Sequence, residues 1–302
     1  MSTPPPDRIG PIVDANVHLW DQASNPVFWL SDRTMVVDML GNYDSLPDRY
    51  TLDDYLESTA PSLVDSVIWS DAGAADPIAA LDWVRRQDRH GVLAGLVTLG
   101  DPYAPDFGAF VKRVRSEALV SSVRIRLVQA LRTDAPRHDQ PAAGDRLVEG
   151  LHALAAAGLV ATIETSADQV PRVIGLADEL PELRIVLDHF GWPSDLSADG
   201  RRAHLQALRP LADRANVATR IDALGTIFAS WDVETVCPWI RGVVEIFGCD
   251  RCMFGSDMPI ETLRSTFGDL RRAYDEIFDG RSDDERRQLF HDTALHWLGA
   301  RS

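Results

Sequence analysis

The residues with chemistry to offer begin near the start of the chain, in Ile12-Val13-Asp14-Ala15-Asn16-Val17-His18-Leu19-Trp20-Asp21. Side chains two apart on a strand share a face. Asp14, Asn16 and His18 therefore read as one polar face, and Val13, Ala15 and Val17 as the apolar one. A polar face on a short apolar strand suits the inside of a barrel whose strand ends open on an active site. The bland alternative is an edge strand with one wet face. Later apolar runs end in similar groups. Asp71 follows one, Arg124 and Arg126 end the next of this kind, and Glu164, Asp188 with His189, Arg220 with Asp222, and Asp257 follow in turn. Singly, each has a structural explanation: a satisfied histidine or a rim salt bridge. Converging on one face, they are groups that can move protons, polarise a carbonyl and clamp a carboxylate.

Positioning such a set needs strand ends side by side, and the chain offers an alternation that supplies them. Thr51 or Asp53 caps a helix start. Strands are expected over 64–69, 91–99, 122–128, 159–164, 184–189, 216–223 and 252–256. Helices are expected over 77–87, 106–118, 144–157, 167–180, 201–215 and 231–247, with closing helices near 263–278 and 283–298. Pro77 at a first helical turn, Gly158 after a last one and Pro181 beyond another mark the boundaries. Runs such as Ile185-Val186-Leu187 are apolar on both faces, as buried parallel strands should be. Eight strand–helix units favour an α/β fold of the (β/α)8 TIM-barrel type. No Gly-x-Gly-x-x-Gly follows the first strand, which argues against a dinucleotide fold. With no linker in view, residues 1–302 read as a single domain, and the irregular stretch 21–49, with Trp20 at its edge and Phe28, Trp29 and Tyr43 inside it, as a lid or rim insertion.

Composition narrows the partners. The chain has 302 residues, 45% of them hydrophobic and 25% charged, with a formal net charge of −16. That balance repels phosphate backbones and anionic lipid, so neither nucleic acid nor a membrane is expected as a partner. A small-molecule substrate is, and a homo-oligomer is compatible with the sequence. Met1 to Arg8 has no signal-peptide core, and no run of about 18 apolar residues occurs. Three cysteines, Cys237, Cys249 and Cys252, fit a reducing cytoplasm. Cys249-x-x-Cys252 lacks the second pair or histidines of a zinc site and reads as accidental.

Three motifs carry a resemblance. Val13-Asp14-Ala15-Asn16-Val17-His18-Leu19-Trp20-Asp21 resembles the opening of the amidohydrolase-related (amidohydrolase 2) proteins, usually Asp-x-His-x-His-Leu-Trp. Ile185-Val186-Leu187-Asp188-His189-Phe190-Gly191-Trp192-Pro193 is similar to their sixth-strand signature, and Met253-Phe254-Gly255-Ser256-Asp257-Met258-Pro259 to their eighth. Phe290-His291-Asp292-Thr293-Ala294 resembles the final helix. The subgroup it resembles most is the sugar-lactone and pyrone-dicarboxylate lactonases. The resemblance implies a distorted barrel that hydrolyses small cyclic esters, with His18, His189 and Asp257 as catalytic or metal-binding residues.

Two positions depart from the pattern. Asn16 stands where the first histidine of the pair belongs, and Glu164 where strand five of metal-dependent relatives usually supplies another. A neutral amide is a poor zinc ligand. The changes favour a site without metal. If one divalent ion, zinc or manganese, is bound, the expected ligands are His18, Glu164, His189 and Asp257. The expected mechanism is lactone hydrolysis with Asp257 as general base. A free aspartate has a pKa of about 3.9, so burial or a neighbouring carboxylate, Asp188 or Glu164, would have to strengthen it. His18 and His189 polarise the carbonyl or protonate the leaving oxygen. Arg124, Arg126 and Arg220 clamp a substrate carboxylate, and Asn16, Glu164 and Trp20 complete the substrate contacts. A metal-dependent decarboxylase, a lactone isomerase and a catalytically dead binding barrel are the alternatives.

Overall fold

The computed structural model describes residues 10–60, 62, 64–127 and 141–301, with no side-chain description for 141–145. The opening Met1–Arg8 and the expected strand end at Val128 lie outside the described residues. Eight parallel strands pair in sequence order. They are β1 (Ile12–Val17), β2 (Val64–Ser70), β3 (Leu93–Leu99), β4 (Val120–Arg126), β5 (Val160–Glu164), β6 (Ile185–Leu187), β7 (Val217–Ile221) and β8 (Cys252–Phe254). β1 does not pair with β8 itself. It meets the chain leaving β8, through a Val17–Met258 bridge, a His18 N–H to Met258 carbonyl bond of 2.8 Å and an Asp257 N–H to Asn16 carbonyl bond of 2.9 Å. The ring is thus nearly closed, and it closes at the residues expected to do chemistry.

Helices fill the crossovers: α1 (Leu52–Thr59), α2 (Pro77–Gln87), α3 (Phe107–Arg115), α4 (Pro141–Ala157), α5 (Val170–Glu179), α6 (Ala198–Ala212), α7 (Val233–Phe247) and α8 (Phe267–Ile277). Their starts follow local chemistry. Thr51 and Asp54 form a reciprocal capping box on α1. Asp76 accepts from the N–H groups of Ile78 and Ala79 ahead of α2, whose first residue is Pro77. A final helix, α9 (Thr293–Leu298), closes the N-terminal end of the barrel, where Trp297 and Leu298 meet Val13, Val97 and Ala218 in a separate interior cluster. Among the described residues, no helix is long and apolar enough to cross a membrane.

The structure corrects the reading of β1. Asp14 pairs with Val67 but Val17 with Trp69, so β1 uses three steps where β2 uses two. This bulge breaks the alternation of faces. Asp14 turns toward the helix layer, where it accepts from the hydroxyl of Tyr55 at 2.7 Å and from the Ser256 N–H at 2.8 Å. Asn16 and His18 turn into the barrel mouth. β6 also ends earlier than expected, at Leu187, because His189, Phe190 and Trp192 take positive φ of 51°, 40° and 42°.

The stretch 22–48 holds only two short helices, Phe28–Ser31 and Val37–Leu40. Its ends are clasped by an antiparallel ladder pairing Trp20 with Tyr50 and Asp21 with Arg49. Its aromatics pack edge to face, Trp20 on Trp29 at 5.9 Å and Trp29 on Tyr43 at 5.7 Å between ring centroids.

Candidate active site

The bulge aims His18 at the exit of β8. Its Nδ1 lies 2.7 Å from the carbonyl of Ser70, which can only accept, so Nδ1 carries a proton and donates it. Nε2 then faces Oδ1 of Asp257 at 3.0 Å. Two lone pairs at that distance repel, so one proton is held between them. Oδ1 of Asp257 also accepts from the Asn16 amide at 3.1 Å, and Oδ2 accepts from the Thr226 hydroxyl at 3.4 Å. Asn16 is oriented from behind, because Arg220 donates to its Oδ1 at 2.9 Å. Asp257 has φ of 61°, a left-handed conformation uncommon outside glycine and held here by its surroundings. Two residues earlier, a Cβ on Gly255 would lie 2.8 Å from that of Asn16 and 3.0 Å from Oδ2 of Asp222, so this close crossing requires glycine.

Beside this pair lies a second, interlocked group. Arg124 donates through Nε to Asp188 at 2.8 Å and through Nη2 to Nε2 of His189 at 3.1 Å. Arg126 donates to Glu164 at 2.9 Å. Arg220, fully buried, donates through Nε to Asp188 at 2.8 Å and again through Nη2. Nδ1 of His189 meets Asp222 at 2.8 Å. Burial opposes charge at Asp188 and Glu164, and the guanidinium groups outweigh it. Arg220 and Arg124 hold Asp188 down at about 2, and Arg124 with Arg126 holds Glu164 below the usual range. Burial likewise opposes a charge on His189 while Asp222 pushes its pKa up. Guanidinium only donates, so the Arg124 contact requires a lone pair on Nε2 and fixes the neutral ring with its proton on Nδ1. Protonating that ring would break the Arg124 contact.

Both groups open on one cavity, with about 460 Å³ of non-atom space, part of it continuous with solvent. His18, Asp257, Arg124, Arg126, Glu164 and His189 lie on its wall. Three expected substrate contacts do not. Asn16 and Arg220 sit one layer deeper, as the hydrogen bonds above describe. Trp20 lies under the clasped segment, its indole N–H donating to the Pro47 carbonyl at 2.8 Å. Asp188 and Glu164, expected to strengthen Asp257, are instead engaged by arginines.

The donor set can be tested against a divalent metal. Of the four residues expected to ligate one, His189 already receives Arg124 on Nε2 and Glu164 is paired with Arg126. An ion among them would displace both contacts and sit against two fixed positive charges. The amide oxygen of Asn16 is taken by Arg220. Among the described residues, no three His, Cys, Asp or Glu side chains are arranged to hold a metal ion. Among the described residues, the expected ligands do not fit one.

Sequence reasoning missed Glu261. It is fully buried and accepts from the Gly225 N–H at 2.7 Å, the Ser265 hydroxyl at 2.7 Å and the Trp231 indole at 3.0 Å. It thereby ties the chain leaving β7 to the chain leaving β8. Burial pushes its pKa up to about 7, and the nearby charge of Asp257 adds to the rise. It lies in an irregular stretch with no motif to announce it. The cavity residues Val36, Met39, Leu40 and Thr226 were equally unmarked.

The amidohydrolase family profile matches residues 13–300. An uncharacterised protein of Sinorhizobium fredii is 28% identical over 292 residues, 94% of this chain and 96% of that one. The L-fucono-1,5-lactonase of Burkholderia ambifaria is 35% identical over 101 residues, 33% of this chain and 34% of that one. Among solved structures, an amidohydrolase from Burkholderia multivorans with bound zinc superposes with a TM-score of 0.75 at 20% identity, covering 95% of this chain and 99% of that one. A Pseudomonas putida protein assigned as a 2-pyrone-4,6-dicarboxylic acid hydrolase gives 0.69 at 18% identity, covering 95% and 97%.

Proposed function

Because the chain belongs to the amidohydrolase family and is an enzyme of that hydrolase class, we propose that it opens a small cyclic ester bearing a carboxylate, with its own side chains and without a metal. The observation that carries this reading is the proton-sharing His18–Asp257 pair opening on the same cavity as the Arg124 and Arg126 guanidinium groups. The lactonase and pyrone-dicarboxylate hydrolase relatives support it.

Asp257 takes a proton from water as the oxygen attacks the lactone carbonyl. Three contacts, from His18, Asn16 and Thr226, fix the orientation of its carboxylate on the cavity wall. Negative charge building on the carbonyl oxygen is met by the cavity guanidiniums, whose positions are set by buried carboxylates. The ring C–O bond then breaks, and the proton between His18 and Asp257 passes from Nε2 to the leaving oxygen. Asp257 returns the water's proton to His18, and the product is a hydroxy acid. His189, with both nitrogens engaged, positions Arg124 and transfers no proton. Arg126 is the guanidinium suited to the substrate carboxylate.

One experiment tests the assignment: opening of a carboxylate-bearing lactone by chelator-washed wild type and by Asp257→Asn. The wild type is expected to keep its turnover, and the variant to lose at least about 100-fold in kcat with little change in KM. Full turnover by Asp257→Asn overturns the base assignment. Loss of wild-type activity on chelation, restored by zinc or manganese, overturns the metal-free reading and makes Glu164 a ligand.

A further inference from the structure

We propose that the ring this site accepts presents a hydrocarbon face, alkyl or aromatic, rather than a hydroxylated sugar face. The inference rests on the cyclic-ester reading above and adds the substrate class. It starts from where the wall residues come from. The strand ends supply the charged part of the wall. The clasped segment supplies Trp29, Val36, Met39 and Leu40, and the chain beyond β8 adds Ile260. None of these five has a side chain free to bond a hydroxyl. Trp29 has the one polar atom among them, and its indole N–H already donates to the Ala72 carbonyl at 2.8 Å.

Three backbone carbonyls along that wall are also occupied. The Ala72 carbonyl accepts a second bond, from Arg126 at 3.1 Å. The Leu40 carbonyl accepts from Arg264 at 2.6 Å, and the Val36 carbonyl from the Leu40 N–H at 2.8 Å and the Met39 N–H at 3.0 Å. A sugar ring can stack its C–H face on an indole, but its hydroxyls project along the ring edge and need partners there. Each hydroxyl brought against this wall would exchange water for hydrocarbon. The polar groups of the strand ends do not relieve this, because the reacting ester and its carboxylate already call on them. Thr226, also on the wall, gives its hydroxyl to Asp257 at 3.4 Å, and Trp192 offers a single indole N–H to a whole ring of hydroxyls. A hydrocarbon face, by contrast, gains from burial against the same atoms.

The test sets a carboxylate-bearing six-membered lactone with alkyl substituents against a polyhydroxylated aldono-1,5-lactone. The alkyl lactone is expected to have the higher kcat/KM by roughly 100-fold, the scale on which a hydrophobic pocket rejects an added hydroxyl. Met39→Gln, at a half-buried position, should narrow that ratio at least about threefold by giving one hydroxyl a partner. Equal or faster opening of the aldonolactone by the wild type overturns the proposal. If neither lactone opens, the cyclic-ester reading fails, and the ring-face inference is decided by binding alone. Cyclohexanecarboxylate and its tetrahydroxy counterpart quinate share ring and carboxylate. Binding of the first tighter by at least about tenfold supports the inference, and equal or tighter binding of quinate overturns it.

Discussion

Halfway along the barrel strands, the interior changes from hydrocarbon to charge. In the lower half, Val13, Ile68, Val97, Val186, Ala218 and Met253 meet one another under the cap of α9. Two residues further along the same strands, Ile68 gives way to Ser70, Val186 to Asp188 and Ala218 to Arg220. The upper half then holds its charges in interlocked pairs, with Asp188 between two arginines. Both halves are equally buried. The difference teaches how the work is divided. The lower half stabilises by removing hydrocarbon from water, while the upper half holds charges whose desolvation cost is offset only as long as every partner stays.

The sharpest way to break that division is to remove one partner. Arg220→Met takes from the buried Asp188 one of its two arginines and from the Asn16 amide oxygen its donor, and should cost about 3–5 kcal/mol of stability in denaturant titration. A midpoint near that of the wild type would mean that Arg220 is not the counterion that holds the upper half.

A second measurement uses pH. Glu261 has its pKa raised from 4.5 to about 7, so the folded protein holds a proton there that the unfolded chain releases. Its contribution is fully present below the unfolded value and is lost as pH rises through about 7. Asp188 runs the other way: held at about 2, it contributes above its unfolded value of 3.8 and loses that as pH falls through about 2. Between pH 5 and 8 the wild type should therefore lose about 2 kcal/mol through Glu261, and Glu261→Gln should remove that slope. Parallel slopes for the two proteins would rule Glu261 out as the titrating group.

The smallest expected effect is in the lower half. Val186→Ala should cost about 1–2 kcal/mol of stability through lost burial and a residual void, while kcat/KM for the substrate stays within about twofold. A large fall in activity without a matching fall in stability would show that the lower half also sets the position of the site.

Much of the barrel was legible in the sequence because its punctuation is local. Pro77, Gly158 and the apolar runs place elements without knowledge of what packs on them, and α2 spans the expected residues. The eighth strand's exit and His18 come together as ring closure requires, 3.0 Å apart. What failed to show depends on depth or on broken regularity. Strand parity alone puts Asp14 with Asn16 and His18; the bulge separates them, and nothing in the residue types marks it. Parity also cannot say how far down the barrel Asn16 and Arg220 lie, so groups that support Asp257 and Asp188 read as substrate contacts. His189 announced itself, yet the left-handed turn that presents it to Arg124 runs through His189, Phe190 and Trp192 as well as Gly191, and only the glycine is a residue type that marks such a turn. In the stretch 21–49 the aromatics drew attention, while Met39 and Leu40 lie in a helix of four residues, too short to show a periodic face, and Val36 just ahead of it.

The clasp at Trp20–Asp21 and Arg49–Tyr50 has a consequence for chain entropy. It fixes the two ends of the intervening segment one strand spacing apart, about 4.8 Å, whatever lies between them. The closure cost of a flexible loop grows only with the logarithm of its length, about 0.6 kcal/mol for each doubling. Segments of quite different length and composition can therefore be seated on the same two anchor pairs at nearly the same cost, without altering the register of any barrel strand. The fold treats the residues that roof the cavity as an exchangeable cassette, so ligand preference can be rewritten independently of the barrel beneath it.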